Sequence, residues 1–114
     1  AVTQRLAEGR GLPGFGHPLY PQGDPRATAL LAHLTVSPGT AALRRAAKVA
    51  TGLLPNVDFA LVALTETMDA PTDAAFGLFA VGRTAGWIAH ALEQARTNAL
   101  IRPRARYVGP PPEL

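Results

Sequence analysis

The sequence contains no cysteine, which removes a disulfide framework, a thiolate metal site and a cysteine nucleophile together, and fits a reducing compartment. Aromatic residues are scarce at 6% and charged residues at 17%, while 47% are apolar. Ala, Leu and Val must therefore build the core, and such side chains suit close-packed helices. No apolar run approaches the roughly 18 residues of a membrane span. Arg5 and Glu8 interrupt the opening stretch, where a signal peptide would be apolar. No segment alternates with period two for long enough to make a strand, and no internal repeat is visible. Lysine is almost absent, Lys48 standing against ten arginines within a formal charge of +3. The arginines are dispersed, not gathered in a patch with aromatics, which argues against a nucleic-acid partner. An arginine excess suits bidentate recognition of carboxylate or phosphate, though a GC-rich genome leaves the same imprint. At 114 residues, what remains is one soluble, all-α domain, expected in the cytoplasm with no membrane attachment.

Composition changes abruptly after the helix-forming first ten residues. Positions 11–25 carry four Gly and four Pro, which no helix interior tolerates, yet they also hold Phe15, Leu19 and Tyr20, which argue against disorder. Such a long irregular segment in a small domain is commonly functional. Four helical patterns follow. The first runs from Arg26 to Leu34, with Leu30, Leu31 and Leu34 on one face. The second opens at Ser37 as cap with Pro38 at the first helical position, and Gly52 marks its stop. The third starts at Leu54-Pro55-Asn56 and carries Val57, Leu61, Leu64 and Met68 at i, i+4, i+7 and i+11. The fourth and longest is capped by Thr72 and reaches Thr97, with Leu78, Val81, Ala85, Ile88 and Leu92 as its apolar stripe. Residues 98–114, with Pro103 and Pro110-Pro111-Pro112, are expected to be extended. The organisation is thus a helical part, 1–97, and a tail, 98–114.

Several residues stand out chemically. On the longest helix, Phe76, Arg83, Trp87, His90 and Gln94 share the face that should be solvated, so that face is expected to meet protein or ligand, and an enclosed Arg83 needs an anion. An internal salt bridge satisfies the same need. His17 lies between Gly16 and Pro18, a titratable group on a stiff loop, suited to act as acid or hydrogen-bond donor. His33 and His90 are too distant in sequence to give metal-ligand spacing, and no metal is expected. Asp24-Pro25-Arg26 by itself reads first as a helix N-cap followed by a surface arginine. Asp58 falls in the first turn of a helix, where a carboxylate is stabilised by the exposed N–H groups, but its neighbours Val57, Phe59, Ala60 and Leu61 are apolar, a setting that can tune a base. Arg102, Arg104 and Arg106 alternate, so an extended chain sends all three to one side as an anion-binding rail or a solvated basic tail.

Taken together, Pro13-Gly14-Phe15-Gly16-His17-Pro18-Leu19-Tyr20 with Asp24-Pro25-Arg26, Pro55-Asn56-Val57-Asp58-Phe59, Gly82-Arg83-Thr84-Ala85-Gly86-Trp87-Ile88-Ala89-His90 with Glu93-Gln94, and Arg102-Pro103-Arg104-Ala105-Arg106-Tyr107-Val108-Gly109 resemble the C-terminal part of the citrate synthase family. Order and spacing agree from about residue 9 to 109. The resemblance implies the helical small domain of an all-α homodimeric acyltransferase of the tricarboxylic acid cycle, condensing oxaloacetate with acetyl-CoA to citrate and CoA. It implies that His17 hydrogen-bonds the oxaloacetate carbonyl and protonates the alkoxide, and that Asp58 takes a proton from the thioester methyl. Arg26, Arg83 and, reaching into the partner subunit's site, Arg102 would bind carboxylates. Pro13, Gly14, Phe15 and Gly16 would lie along CoA, which is substrate and product, with no tightly bound cofactor. The family also uses two histidines of a large domain that these residues do not contain. The chain is therefore expected to be part of a longer enzyme and inactive alone. Where many relatives follow the aspartate with an aromatic-Ser-Gly turn, this sequence has Phe59-Ala60-Leu61-Val62. Propionyl-CoA as substrate, giving 2-methylcitrate, a citryl-CoA lyase, and a non-catalytic module binding CoA and a dicarboxylate stay open beside acetyl-CoA.

Overall fold

The computed structural model describes residues 2–97 together with Ala99, Leu100, Arg102, Arg104, Arg106 and Gly109. The extended tail expected over 98–114 falls largely outside the described residues. Five helices follow in order: α1 (Val2–Ala7), α2 (Pro25–Leu31), α3 (Pro38–Thr51), α4 (Val57–Thr67) and α5 (Ala74–Thr97). Among the described residues there is no strand, only an isolated antiparallel bridge between Phe15 and Pro55. The all-α expectation holds.

Local chemistry sets the helix ends. Ser37 holds an extended backbone and its hydroxyl accepts from the Thr40 N–H at 3.1 Å, while Pro38 fills the first helical position of α3. Gly52 ends α3 in the left-handed region, φ 72°, and its N–H returns to the Lys48 carbonyl. Asp24 and Asn56 cap α2 and α4 through their side chains. Helix α5 begins two residues after the expected cap, Thr72. The chain first makes a tight turn there, in which the Ala74 N–H bonds the Pro71 carbonyl at 2.9 Å.

Two units can be distinguished, Ala1–Arg83 and Thr84–Leu114. In the first, α2 packs on α4 and α1 on α3. Its core is Phe15, Ala47 and Phe59, with Leu12 and Leu31 against it, and the two phenyl rings meet at 5.0 Å in a tilted pair. The buried face of α4 is Phe59, Ala60, Ala63 and Thr65. It is not the Val57, Leu61, Leu64 and Met68 stripe that periodicity predicts. Ala27 of α2 is likewise fully buried. Small side chains on both helices allow close backbone approach, so the leucines are displaced to the flanks and Met68 to solvent. In the second unit, the Gln94 side-chain amide donates to the Ala99 carbonyl and His90 Nδ1 lies 3.9 Å from Glu93.

The expectation of an enclosed long helix is corrected. No residue of α5 is buried; Phe76 and Val81 are about three-quarters exposed and Trp87 about half. Among the described residues, every core side chain comes instead from the loop, α2, α3 or α4. Arg83 is accordingly exposed and not desolvated, so its charge does not require an enclosed anion.

Candidate functional site

The Gly/Pro segment is laid against residues 53–56 like a short hairpin. The Gly16 N–H donates to the Leu54 carbonyl at 2.8 Å, and the Asn56 N–H donates to the Gly14 carbonyl at 2.9 Å. Gly14 has φ 82°, and a Cβ there would stand 3.2 Å from Phe59 Cβ, so the close approach of loop to helix needs a glycine at this point. Asn56 then does two things with one amide. Its Nδ2 donates to the Gly16 carbonyl at 2.9 Å, and its Oδ1 accepts from the Asp58 N–H at 3.0 Å and the Phe59 N–H at 3.4 Å. The residue before His17 and the helix turn carrying Asp58 are joined through it.

His17 is half-buried and borders a cavity of about 280 Å³ lined also by Tyr20, Asp24 and Leu54. Its Nδ1 accepts from the Leu19 N–H at 3.2 Å. That assigns the ring proton of the neutral imidazole to Nε2, leaving Nε2–H as the outward donor. The imidazole lies 4.9 Å from the Tyr20 ring, and the Arg26 guanidinium sits over the same ring at 5.2 Å. Tyr20 thus spaces the histidine from the arginine.

Asp24 is the electrostatic centre of the cluster. Its side chain is fully buried and takes four hydrogen bonds: the Arg26 N–H and Nε on Oδ1, and Arg26 Nη2 and the Val57 N–H on Oδ2, at 2.9–3.0 Å. The Arg26 side-chain hydrogen bonds, aided by the backbone N–H groups, outweigh burial and hold the Asp24 carboxyl down at about 2. Asp24 in turn raises the Arg26 guanidinium, to which Asp58 adds a smaller attraction. The pair uses one edge of the arginine fork. The Nη1/Nη2 edge stays free on a side chain that is 47% exposed.

The structure therefore brings together Pro13, Gly14, Phe15, Gly16, His17, Arg26 and Asp58. It does not bring Arg83 to them: that residue has no ion pair with the cluster. Arg102 is exposed in the Thr84–Leu114 unit. Asp58 is exposed despite its apolar neighbours, because these turn inward while the carboxylate faces out. In the sequence, Asn56 reads only as part of a helix start and Tyr20 as an aromatic residue of the loop. Nothing local discloses the bond of Asn56 to Gly16. Among the described residues no group of three His, Asp or Glu side chains is placed to hold a metal ion, and no helix is long and apolar enough to cross a membrane.

Comparison with known proteins identifies the family. The family model described as citrate synthase, C-terminal domain, matches residues 1–104. The citrate synthase of Haloferax volcanii is 42% identical over 118 residues, covering 95% of this chain and 31% of that protein. Citrate synthase 2 of Bacillus subtilis is 38% identical over 119 residues, covering 96% and 32%. A 2-methylcitrate synthase of Mycobacterium tuberculosis is 36% identical, covering 95% and 30%. The chain spans about a third of the length of the relatives it matches.

Proposed function

The chain belongs to the citrate synthase family, and we propose that it forms the C-terminal, substrate-carrying part of a cytoplasmic, homodimeric enzyme that condenses oxaloacetate with acetyl-CoA. The observation that carries this reading is the Asn56 amide, which fixes the His17 loop and the Asp58 helix turn to each other. An acid and a base held on one backbone junction are what a condensation between two bound carbonyl compounds needs.

In this reading the Asp58 carboxylate removes a proton from the thioester methyl, and the methyl carbon bonds to the ketone carbon of oxaloacetate. His17 Nε2–H donates to the oxygen as it gains charge. Water then cleaves the citryl thioester, giving citrate and the CoA thiol. The free edge of Arg26 takes one substrate carboxylate, with Arg83 and, from the partner subunit, Arg102 completing the set. Pro13, Gly14, Phe15 and Gly16 lie along CoA, which enters and leaves as substrate and product. The two histidines of the family's large domain complete the machinery, so the chain by itself supports no turnover.

A second acyl group is favoured by one observation. A relative named 2-methylcitrate synthase matches at 36% identity, and residues 60–62 are apolar beside Asp58. Propionyl-CoA fits such a setting. The test is a chimera in which this chain replaces the C-terminal domain of the Haloferax volcanii enzyme. Thiol release should appear with oxaloacetate plus acetyl- or propionyl-CoA, and should fall by about 10²–10⁴ in Asp58→Asn and in His17→Ala. A folded chimera that binds CoA without His17-dependent turnover would reduce the chain to a binding module.

A further inference from the structure

A second cavity, of about 490 Å³, lies between α2 and α3, and three of its lining side chains are Arg44, Arg45 and Lys48. Its floor is apolar, from Ala27, Leu31 and Leu54, and no acidic residue lines it. Among the described residues no carboxylate lies within ion-pair distance of any of the three cations. Lys48 is four residues from Arg44 and three from Arg45, so the helix carries like charges at neighbouring surface positions, which repel. An anion would relieve this repulsion.

We propose that this groove is a binding site for a phosphorylated small molecule with an apolar or flat portion. Two guanidinium forks and an ammonium within little more than one helical turn match the charge and oxygen number of a phosphate or diphosphate better than a lone carboxylate. The volume is that of a small-ligand site. The floor accepts the uncharged part. This goes beyond the condensation reading and does not depend on it, since none of the three cations belongs to the His17 cluster. The two sites share a wall, however. Leu54 and Pro55 line both cavities, and the Leu54 carbonyl holds the Gly16 N–H. A ligand in the groove therefore bears on the residue next to His17, and by reciprocity a ligand at His17 bears on the groove.

The site is tested by titrating the 114-residue chain with pyrophosphate, ADP, CoA and dephospho-CoA at constant ionic strength, following backbone amide resonances. Saturable shifts are expected at Ala27, Thr28 and Leu54, with a smaller one at Gly16. Arg44→Gln/Arg45→Gln should weaken binding at least tenfold, and Arg96→Gln, on the exposed end of α5, should leave it unchanged. Lys48→Gln supplies an independent check should the double variant lose spectral dispersion. Preference for CoA over dephospho-CoA, with weak ADP binding, identifies the occupant as the phosphorylated tail of an acyl-CoA. Comparable binding of ADP and pyrophosphate identifies a free nucleotide. Shifts that stay linear with concentration, or that Arg96→Gln reduces as much as the groove variants do, overturn the proposal. A chimera without condensing activity but with intact groove binding would sink the condensation reading alone.

Discussion

The side-chain amide of Asn56 donates to the Gly16 carbonyl at 2.9 Å across 40 positions of sequence, while its oxygen caps α4. This single residue makes the His17 loop and the Asp58 helix turn one mechanical piece. Asn56→Ala removes both functions, at about 1 kcal/mol for the cap and about 1 kcal/mol for the unpaired Gly16 carbonyl. A thermal melt should fall by roughly 4–8 °C for each kcal/mol in a domain of this size. Asn56→Asp keeps the acceptor and loses the donor, and should fall between Asn56→Ala and wild type. If Asn56→Asp melts like wild type, the bond to Gly16 carries no weight.

Acid stability should report Asp24. Its folded pKa of about 2 lies below the ordinary value of 3.8, so its stabilising contribution is complete above about pH 4 and fades as pH falls toward 2. The size is about 2 kcal/mol. Urea unfolding between pH 7 and pH 2.5 should show that loss in wild type. Asp24→Asn should be less stable at pH 7 by about 2–3 kcal/mol and flatter through the acid range. An unchanged slope in Asp24→Asn would place the acid sensitivity elsewhere.

The His17 tautomer is open to direct measurement. With Nδ1 accepting from the Leu19 N–H, imidazole nitrogen shifts of the neutral ring should show Nε2 protonated and Nδ1 bare. Leu19→Pro deletes that N–H and should let the ring populate both tautomers. Equal tautomers in wild type would remove His17's oriented donor.

Much of the scaffold could be read from residue order, because its punctuation is local. Ser37-Pro38 and Gly52 bound α3 by cap, fixed φ and left-handed stop, each a property of one residue and its neighbours. The α4 face could not be read so easily. Periodicity weights the large leucines, yet the contact with α2 selects Ala60 and Ala63, since crossing distance and not hydrophobicity decides who goes inside. The site divides in the same way. His17, Arg26 and Asp58 were visible as residue types in motifs, whereas the free edge of Arg26 depends on Asp24, and the exposure of Asp58 and of Arg83 depends on which faces find partners. Those are properties of packing, and no window of sequence contains them.

Helix α5 has 24 residues, none buried, with Gly77, Gly82 and Gly86 along its length. Each such glycine costs about 1 kcal/mol relative to alanine, and a helix without a packed face is marginal in water. Its amide protection is therefore set by whatever lies against it, while the amides around Ala60 and Ala63 follow the stability of the core. One polypeptide thus carries two clocks for hydrogen exchange, an internal one that keeps the time of folding and an outer one that runs slow only in company.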